Sequence, residues 1–183
     1  MLRDILDQYK DQSTSLRNQG DLFEALIQSY LLSDPRYTNS LSEVWLWMEF
    51  PFRDQFGGND TGIDLVAKTH KGDYWAIQCK FFDENSTISK GDVDSFLSTS
   101  SRTFDDERGI LQRFNERLWV STTNNWSSNA EEVIKNQEPP VARLNLQNLL
   151  DAPVDWGKIN QGLVGKEVRR EKKSPRPHQV TAI

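Results

Sequence analysis

The part of this chain that leaves its fold least choice is residues 62–82, where two apolar runs, GIDLVAK and DYWAIQCKFF, flank the short polar segment THKGD. Two such runs, joined by a Gly-containing turn, read as an antiparallel hairpin. Inside the runs stand residues that a merely structural hairpin has little use for: Asp64 in the first, Gln78 and Lys80 in the second. Side chains alternate along a strand, so Gln78 and Lys80 share one face, roughly 6.5–7 Å apart, while Ile77, Cys79 and Phe81 share the other. The apolar face is free to pack against helices. The polar face sets an amide beside an ammonium group at the end of a strand, and hairpin pairing can bring the Asp64 carboxylate beside Gln78.

Such a group of oxygens and one ammonium matches the needs of metal-assisted phosphodiester hydrolysis. Mg²⁺ takes carboxylate and carbonyl oxygens and keeps several waters. Asp64 supplies a charged ligand, Gln78 a neutral one, and the backbone carbonyl of Cys79 a third. Lys80 is then placed to orient the attacking water or to stabilise charge on the phosphate. Upstream, Phe23, Leu26, Ile27, Tyr30 and Leu31 fall at helical spacing in one apolar stripe. Glu24 lies at the rim of that stripe, where both a solvated glutamate and an acid reaching over the sheet towards the ion fit. Asp60, in NDTGID, reads first as a turn residue supporting Gly62, with metal ligation as the alternative.

The 183 residues, 36% hydrophobic and 27% charged, suffice for one ordinary core rather than two. No run approaches the roughly 18 apolar residues of a membrane span, and MLRDILDQYKDQ is unlike a signal peptide, so a soluble, cytoplasmic protein is expected. The single cysteine, Cys79, excludes an intrachain disulfide and a multi-cysteine zinc site; His70 and His178 have no partner pattern. A net charge of -5 argues weakly against wholesale nucleic-acid binding. It is unevenly spread: residues 158–176 carry seven basic and two acidic side chains, so residues 1–157 hold -10.

Along the chain, the first 33 residues read as helix, ended by SDPR. EVWLWMEFPFR reads as a strand preceded by a short helical turn. After the hairpin, Ser89 with Asp92 marks a helix N-terminus; RLWVSTT is a strand, SSNAEEVIKNQ a short helix, and PPVARLNLQNLLD a strand and a helix. That order describes an α/β sandwich with a mixed central sheet. STTNN at 121–125 reads as a polar loop. Arg102, Arg108, Arg113 and Arg117, interleaved with acids, are expected on a self-neutralising helix surface, and the six tryptophans in core and interface positions. Residues beyond Trp156 read as a solvated linker.

Glu24 in GDLFEALI, Asp64 in GNDTGIDLVA, QCK at 78–80 and the following SKGDVDSFL resemble the PD-(D/E)xK nuclease superfamily, specifically its Mrr-like group, in which glutamine replaces the first acid of the terminal triplet. The resemblance covers about residues 20–126. It implies a restriction-endonuclease-like α/β fold with helices flanking a mixed central sheet, Asp64 and Gln78 as ligands of Mg²⁺ (Mn²⁺ as a substitute), Lys80 as the catalytic lysine and Glu24 as an auxiliary acid. Ile63 stands where the named motif has proline. Gln78 removes one negative charge, which implies weaker metal affinity and a regulated nuclease.

PRPHQVTAI, at the end, is similar to the opening of superfamily 2 helicase-like motors. Together the resemblances imply a nuclease domain at 1–157, a basic linker at 158–175 and the start of a motor at 176–183. That is the order at the N-terminus of a type ISP restriction-modification enzyme, a bacterial defence enzyme in which nuclease, ATP-driven translocase, methyltransferase and target recognition share one polypeptide. The function expected is nicking of double-stranded DNA without sequence preference, with ATP used only by the motor and transient pairing of nuclease domains for double-strand breaks. The alternatives are a catalytically silent DNA-binding or docking module and a repair or junction nuclease of the same superfamily.

Overall fold

The computed structural model describes residues 1–57 and 61–170. Asp60 and the terminal PRPHQVTAI, on which two of the expectations rest, lie outside the described residues. The N-terminal region is helical, but as two helices, α1 (Leu2–Gln12) and α2 (Leu16–Leu31), rather than one. Hydroxyls make the break: Ser13 bonds back to the Tyr9 carbonyl, and Ser15, in extended backbone, accepts the Asn18 N–H as an N-cap. Asp34 then caps α3 (Pro35–Thr38), with proline in the first turn where its missing N–H is harmless.

Strand β1 (Leu41–Leu46) follows this helical turn and passes into a 3-10 turn at Trp47–Glu49. The hairpin is β2 (Leu65–Thr69) and β3 (Tyr74–Lys80), antiparallel with Leu65 opposite Ile77. Its turn is closed by Thr69 N–H donating to the Asp73 carbonyl at 2.8 Å. Next come β4 (Thr87–Ile88), α4 (Lys90–Ser100), β5 (Thr103–Asp105), β6 (Leu111–Ser121), β7 (Asn125–Trp126), α5 (Ser128–Ile134), β8 (Val141–Leu144), α6 (Leu146–Leu150) and α7 (Trp156–Asn160). Ser89 and Asp92 form the reciprocal cap at the start of α4.

The main sheet runs β1-β2-β3-β6-β5, with β8 also on β6. β1, β2 and β3 are antiparallel, β3, β6 and β8 parallel, and β5 antiparallel to β6. Parallel neighbours need a crossover, which α4 supplies between β3 and β6 and α5 between β6 and β8. The result is an α/β fold with a mixed central sheet flanked by helices, and with β3 in the sheet interior.

Strand alternation divides the core. Leu65, Ala67, Ile77, Cys79, Leu118 and Val120 pack with residues of α1, α2, α6 and α7, while Val66, Ala76 and Trp119 pack with Phe96 of α4 and an aromatic cluster around Phe50, Phe56 and Phe104. Among the described residues no helix is long and apolar enough to cross a membrane.

Two expectations are corrected here. The four arginines do not share a helix face. Arg113 and Arg117 lie on β6, and Arg117 is 2% exposed, donating to the Pro139 carbonyl, Ser100 Oγ and Gln137 Oε1. Arg102 lies over the Phe56 ring at 5.3 Å, and Arg108 pairs with Asp106 within a turn. Nor is the basic stretch solvated from its start. As far as Arg170 it lies on the body, because Ile159 and Val168 are buried and Arg169 donates to the Ser33 carbonyl and to Thr38 Oγ1.

Candidate active site

Asp64 stands one residue before β2, held at both backbone groups. Its N–H donates to the Ile77 carbonyl at 2.9 Å, and its carbonyl accepts from Trp47 N–H at 2.7 Å. These bonds hold Asp64 at the edge of the hairpin, one residue beyond the Leu65–Ile77 pair, and its side chain meets that of Gln78, as the strand pattern predicts. The carboxylate is turned towards β3, where Oδ2 accepts from the Cys79 N–H at 2.7 Å and from the Gln78 side-chain amide. Gln78 is 2% exposed, and among the described residues its Oε1 has no hydrogen-bond partner.

Glu24 joins them from α2. The stripe of Phe23, Leu26, Ile27 and Tyr30 is buried, leaving Glu24 half-buried at its edge. Gly20, one turn earlier, lies beside it, where a Cβ would make an ordinary contact with Glu24 Oε1 at 3.9 Å. Glu24, Asp64, Gln78, Lys80, Arg17 and Thr61 all line one cleft of about 530 Å³. Burial first, then the negative charges of Asp64 and Asp21 and a hydrogen bond with Asp64, push the Glu24 carboxyl up to about 8, against the opposing charge of Lys80. Burial and the neighbouring carboxylates thus favour the protonated form of Glu24. The Cys79 thiol, buried, is pushed well above its usual range, consistent with a packing role for its side chain.

The chain after Lys80 is fixed by residues expected to be a polar loop. Thr122 and Thr123 are instead buried. Thr122 Oγ1 accepts the Phe82 N–H and donates to the Phe82 carbonyl, and Thr123 Oγ1 donates to the Ser86 carbonyl at 2.6 Å. On the outer side Arg3 and Lys10 of α1 pair with Glu84 and Asp83.

Chemically, the cleft offers hard oxygen donors and one ammonium. Among the described residues no three His, Cys, Asp or Glu side chains gather as an ion site, so from these residues a cation would draw on the amide as well as on Asp64 and Glu24. The buried, unpartnered Gln78 oxygen fits that demand, since such an atom costs about 1–3 kcal/mol unless something binds it. Oxygen-only donors suit Mg²⁺ or Mn²⁺ rather than a thiolate-seeking metal. Sequence reasoning assembled Asp64, Gln78, Lys80 and Glu24, and passed over Thr61 and Arg17, whose place in the cleft has no periodic signature.

A restriction endonuclease family model, Mrr_cat_2, matches residues 32–165. Among solved structures, the ATP-dependent Type ISP restriction-modification enzyme LlaBIII bound to DNA is 30% identical over 97% of this chain, with a TM-score of 0.68. This chain spans about a tenth of that enzyme, 10% of its length. More distant are MspJI restriction endonuclease in complex with a 27-mer oligonucleotide (17% identity, 81% of this chain, 29% of that one, TM-score 0.43) and the DNA modification-dependent restriction endonuclease AspBHI (16%, 87%, 34%, 0.46). No curated protein matches by sequence. Enzymes of the matched family generally use a divalent metal.

Proposed function

Because this chain belongs to the restriction endonuclease family, we propose that it is the Mg²⁺-dependent DNA-nicking domain of a larger, ATP-driven bacterial restriction-modification enzyme. The observation that carries the reading is the meeting of the Asp64 carboxylate, the Gln78 amide and the Cys79 N–H at the end of an interior strand, in a cleft shared with Glu24 and Lys80.

Asp64, the Gln78 amide oxygen and the Cys79 backbone carbonyl would hold the ion, with Glu24 as the auxiliary acid and Mn²⁺ as a substitute metal. When bound, the ion lowers the pKa of its water and neutralises charge on the scissile phosphate. Lys80 contributes an ammonium group that holds the attacking water by hydrogen bonding and stabilises the negative charge developing on the phosphate oxygens. A neutral amide in place of a second strand carboxylate leaves the site one negative charge short, so the ion is held weakly and cutting awaits activation.

The similar Type ISP enzyme is ATP-dependent and bound to DNA. By that analogy motor, methyltransferase and target-recognition domains of the same polypeptide supply double-stranded DNA and sequence reading. The nuclease domain cuts one strand per active site without preference of its own, and two copies pair transiently for a double-strand break. The setting is the bacterial cytoplasm.

The test is plasmid nicking in Mg²⁺ or Mn²⁺ by wild type, Asp64→Ala and Lys80→Ala, in this chain and in the enzyme that contains it. Loss of at least 100-fold in both variants is expected, since each removes a group acting at the reacting phosphate, on the order of the 10²–10³ found for lost charge stabilisation. Equal nicking by all three proteins would refute the assignment.

A further inference from the structure

Gln78 Oε1 is not the one unpartnered oxygen at the cleft. Among the described residues three buried side-chain polar atoms have no hydrogen-bond partner, and the residues carrying two of them, Thr61 Oγ1 and Gln78 Oε1, line this cleft. Thr61 is 9% exposed, yet its hydroxyl pairs with no backbone or side-chain group. A threonine hydroxyl ordinarily finds a carbonyl within its own turn, so an enclosed one without a partner is an exception requiring a physical cause.

The backbone next to it is fixed. Gly62 has φ +73 and lies so close to α4 that a Cβ would meet Ser95 Oγ at 2.8 Å and Phe96 N at 2.9 Å. Two residues on, Asp64 is pinned at both its N–H and its carbonyl. Thr61 is thus carried on a segment anchored against both α4 and β3, and its place in the cleft is set by packing. The hydroxyl can donate one hydrogen bond and accept two, which suits a water molecule in the shell of a hard cation, since Mg²⁺ usually keeps several of its waters.

We propose that Thr61 is a positioning residue for the hydrated cation, its hydroxyl bonding a water carried by the ion that Asp64 and Gln78 hold; this rests on the reading of the cleft as an ion site. The removal of such outer partners typically weakens metal binding about 10- to 100-fold. Thr61→Val keeps the branched shape and removes the hydroxyl; Thr61→Ser keeps the hydroxyl.

The experiment titrates Mn²⁺ into the 183-residue chain by calorimetry, without DNA, for wild type, both Thr61 variants and Asp64→Ala, alongside urea unfolding of the metal-free proteins. Expected are Mn²⁺ binding weaker by about 10-fold or more in Thr61→Val, recovery in Thr61→Ser, and metal-free stability of Thr61→Val equal to or above wild type. The last sign separates this role from a structural one, because deleting an unpaired buried hydroxyl relieves a penalty whereas deleting a paired one incurs it. Equal Mn²⁺ affinity in wild type and Thr61→Val, with Asp64→Ala impaired, overturns the Thr61 role and leaves the ion site standing. Equal affinity in wild type and Asp64→Ala overturns both. Lower metal-free stability of Thr61→Val, or failure of Thr61→Ser to recover binding, likewise overturns the role.

Discussion

Replacing Gly62 by alanine tests how tightly the cleft is seated on its helix. The added Cβ would stand 2.8 Å from Ser95 Oγ, 2.9 Å from Phe96 N and 3.0 Å from Ser95 C. The hydroxyl can rotate away; the two α4 backbone atoms cannot. Left-handed backbone costs an alanine about 1–2 kcal/mol, and forced overpacking typically adds about 1–3 kcal/mol. Gly72, at φ +92 in the hairpin turn, has no atom within 4 Å of a built Cβ, so Gly72→Ala bears the first cost alone. Both variants gain the same small benefit from a stiffer unfolded chain, which cancels between them. The expected gap is therefore the contact itself, about 1–3 kcal/mol, or on the order of 2–12 °C in melting temperature for a chain of this size. Urea unfolding followed by tryptophan fluorescence measures it, and the Mn²⁺ affinity of Gly62→Ala should fall because Thr61 and Asp64 move with the loop. Equal midpoints for the two alanine variants would show that the loop does not bear on α4.

Two further outcomes are expected. Gln78→Glu restores a negative charge beside Asp64, so it should bind Mn²⁺ about 10-fold or more tightly while lowering metal-free stability through like-charge repulsion; a calorimetric titration showing unchanged affinity would remove Gln78 from the ligand set. Asp106 carries a pH signature of the β5–β6 turn, since the Ile110 and Arg108 N–H groups and the Gln112 amide hold its carboxyl at about 2, despite burial. A depressed carboxyl stabilises the fold above its unfolded pKa of about 4 and loses that contribution as pH falls towards 2. The stability gap between wild type and Asp106→Asn should accordingly be constant above about pH 5 and close below pH 4. A gap independent of pH would contradict the assignment.

The sequence exposes the hairpin because its period of two, its turn and its misplaced polar residues are local signals, and from these the approach of the Asp64 carboxylate to Gln78 follows. Glu24 is readable as an edge residue of a helical stripe, although only tertiary packing brings it to Asp64. What stays hidden depends on distant partners. β5, β4 and β7 are two or three residues long and exist only because other strands pair with them. Arg117 is concealed by an irregularity in β6: Tyr74 pairs with Phe114 but Trp75 with Glu116, so the alternation changes phase and a residue reckoned as surface turns inward. Ile159 and Val168 are single apolar residues in a charged stretch, too sparse for any period, yet both are buried.

The meeting of the side chains of residues 64 and 78 across the hairpin also ties the candidate site to the register of its strands. Were β2 to slide by one position along β3, the acid would swing to the opposite surface of the sheet while the amide stayed put. Chains with mispaired strands would then lack the assembled cluster, so the candidate site comes together only in the correct register.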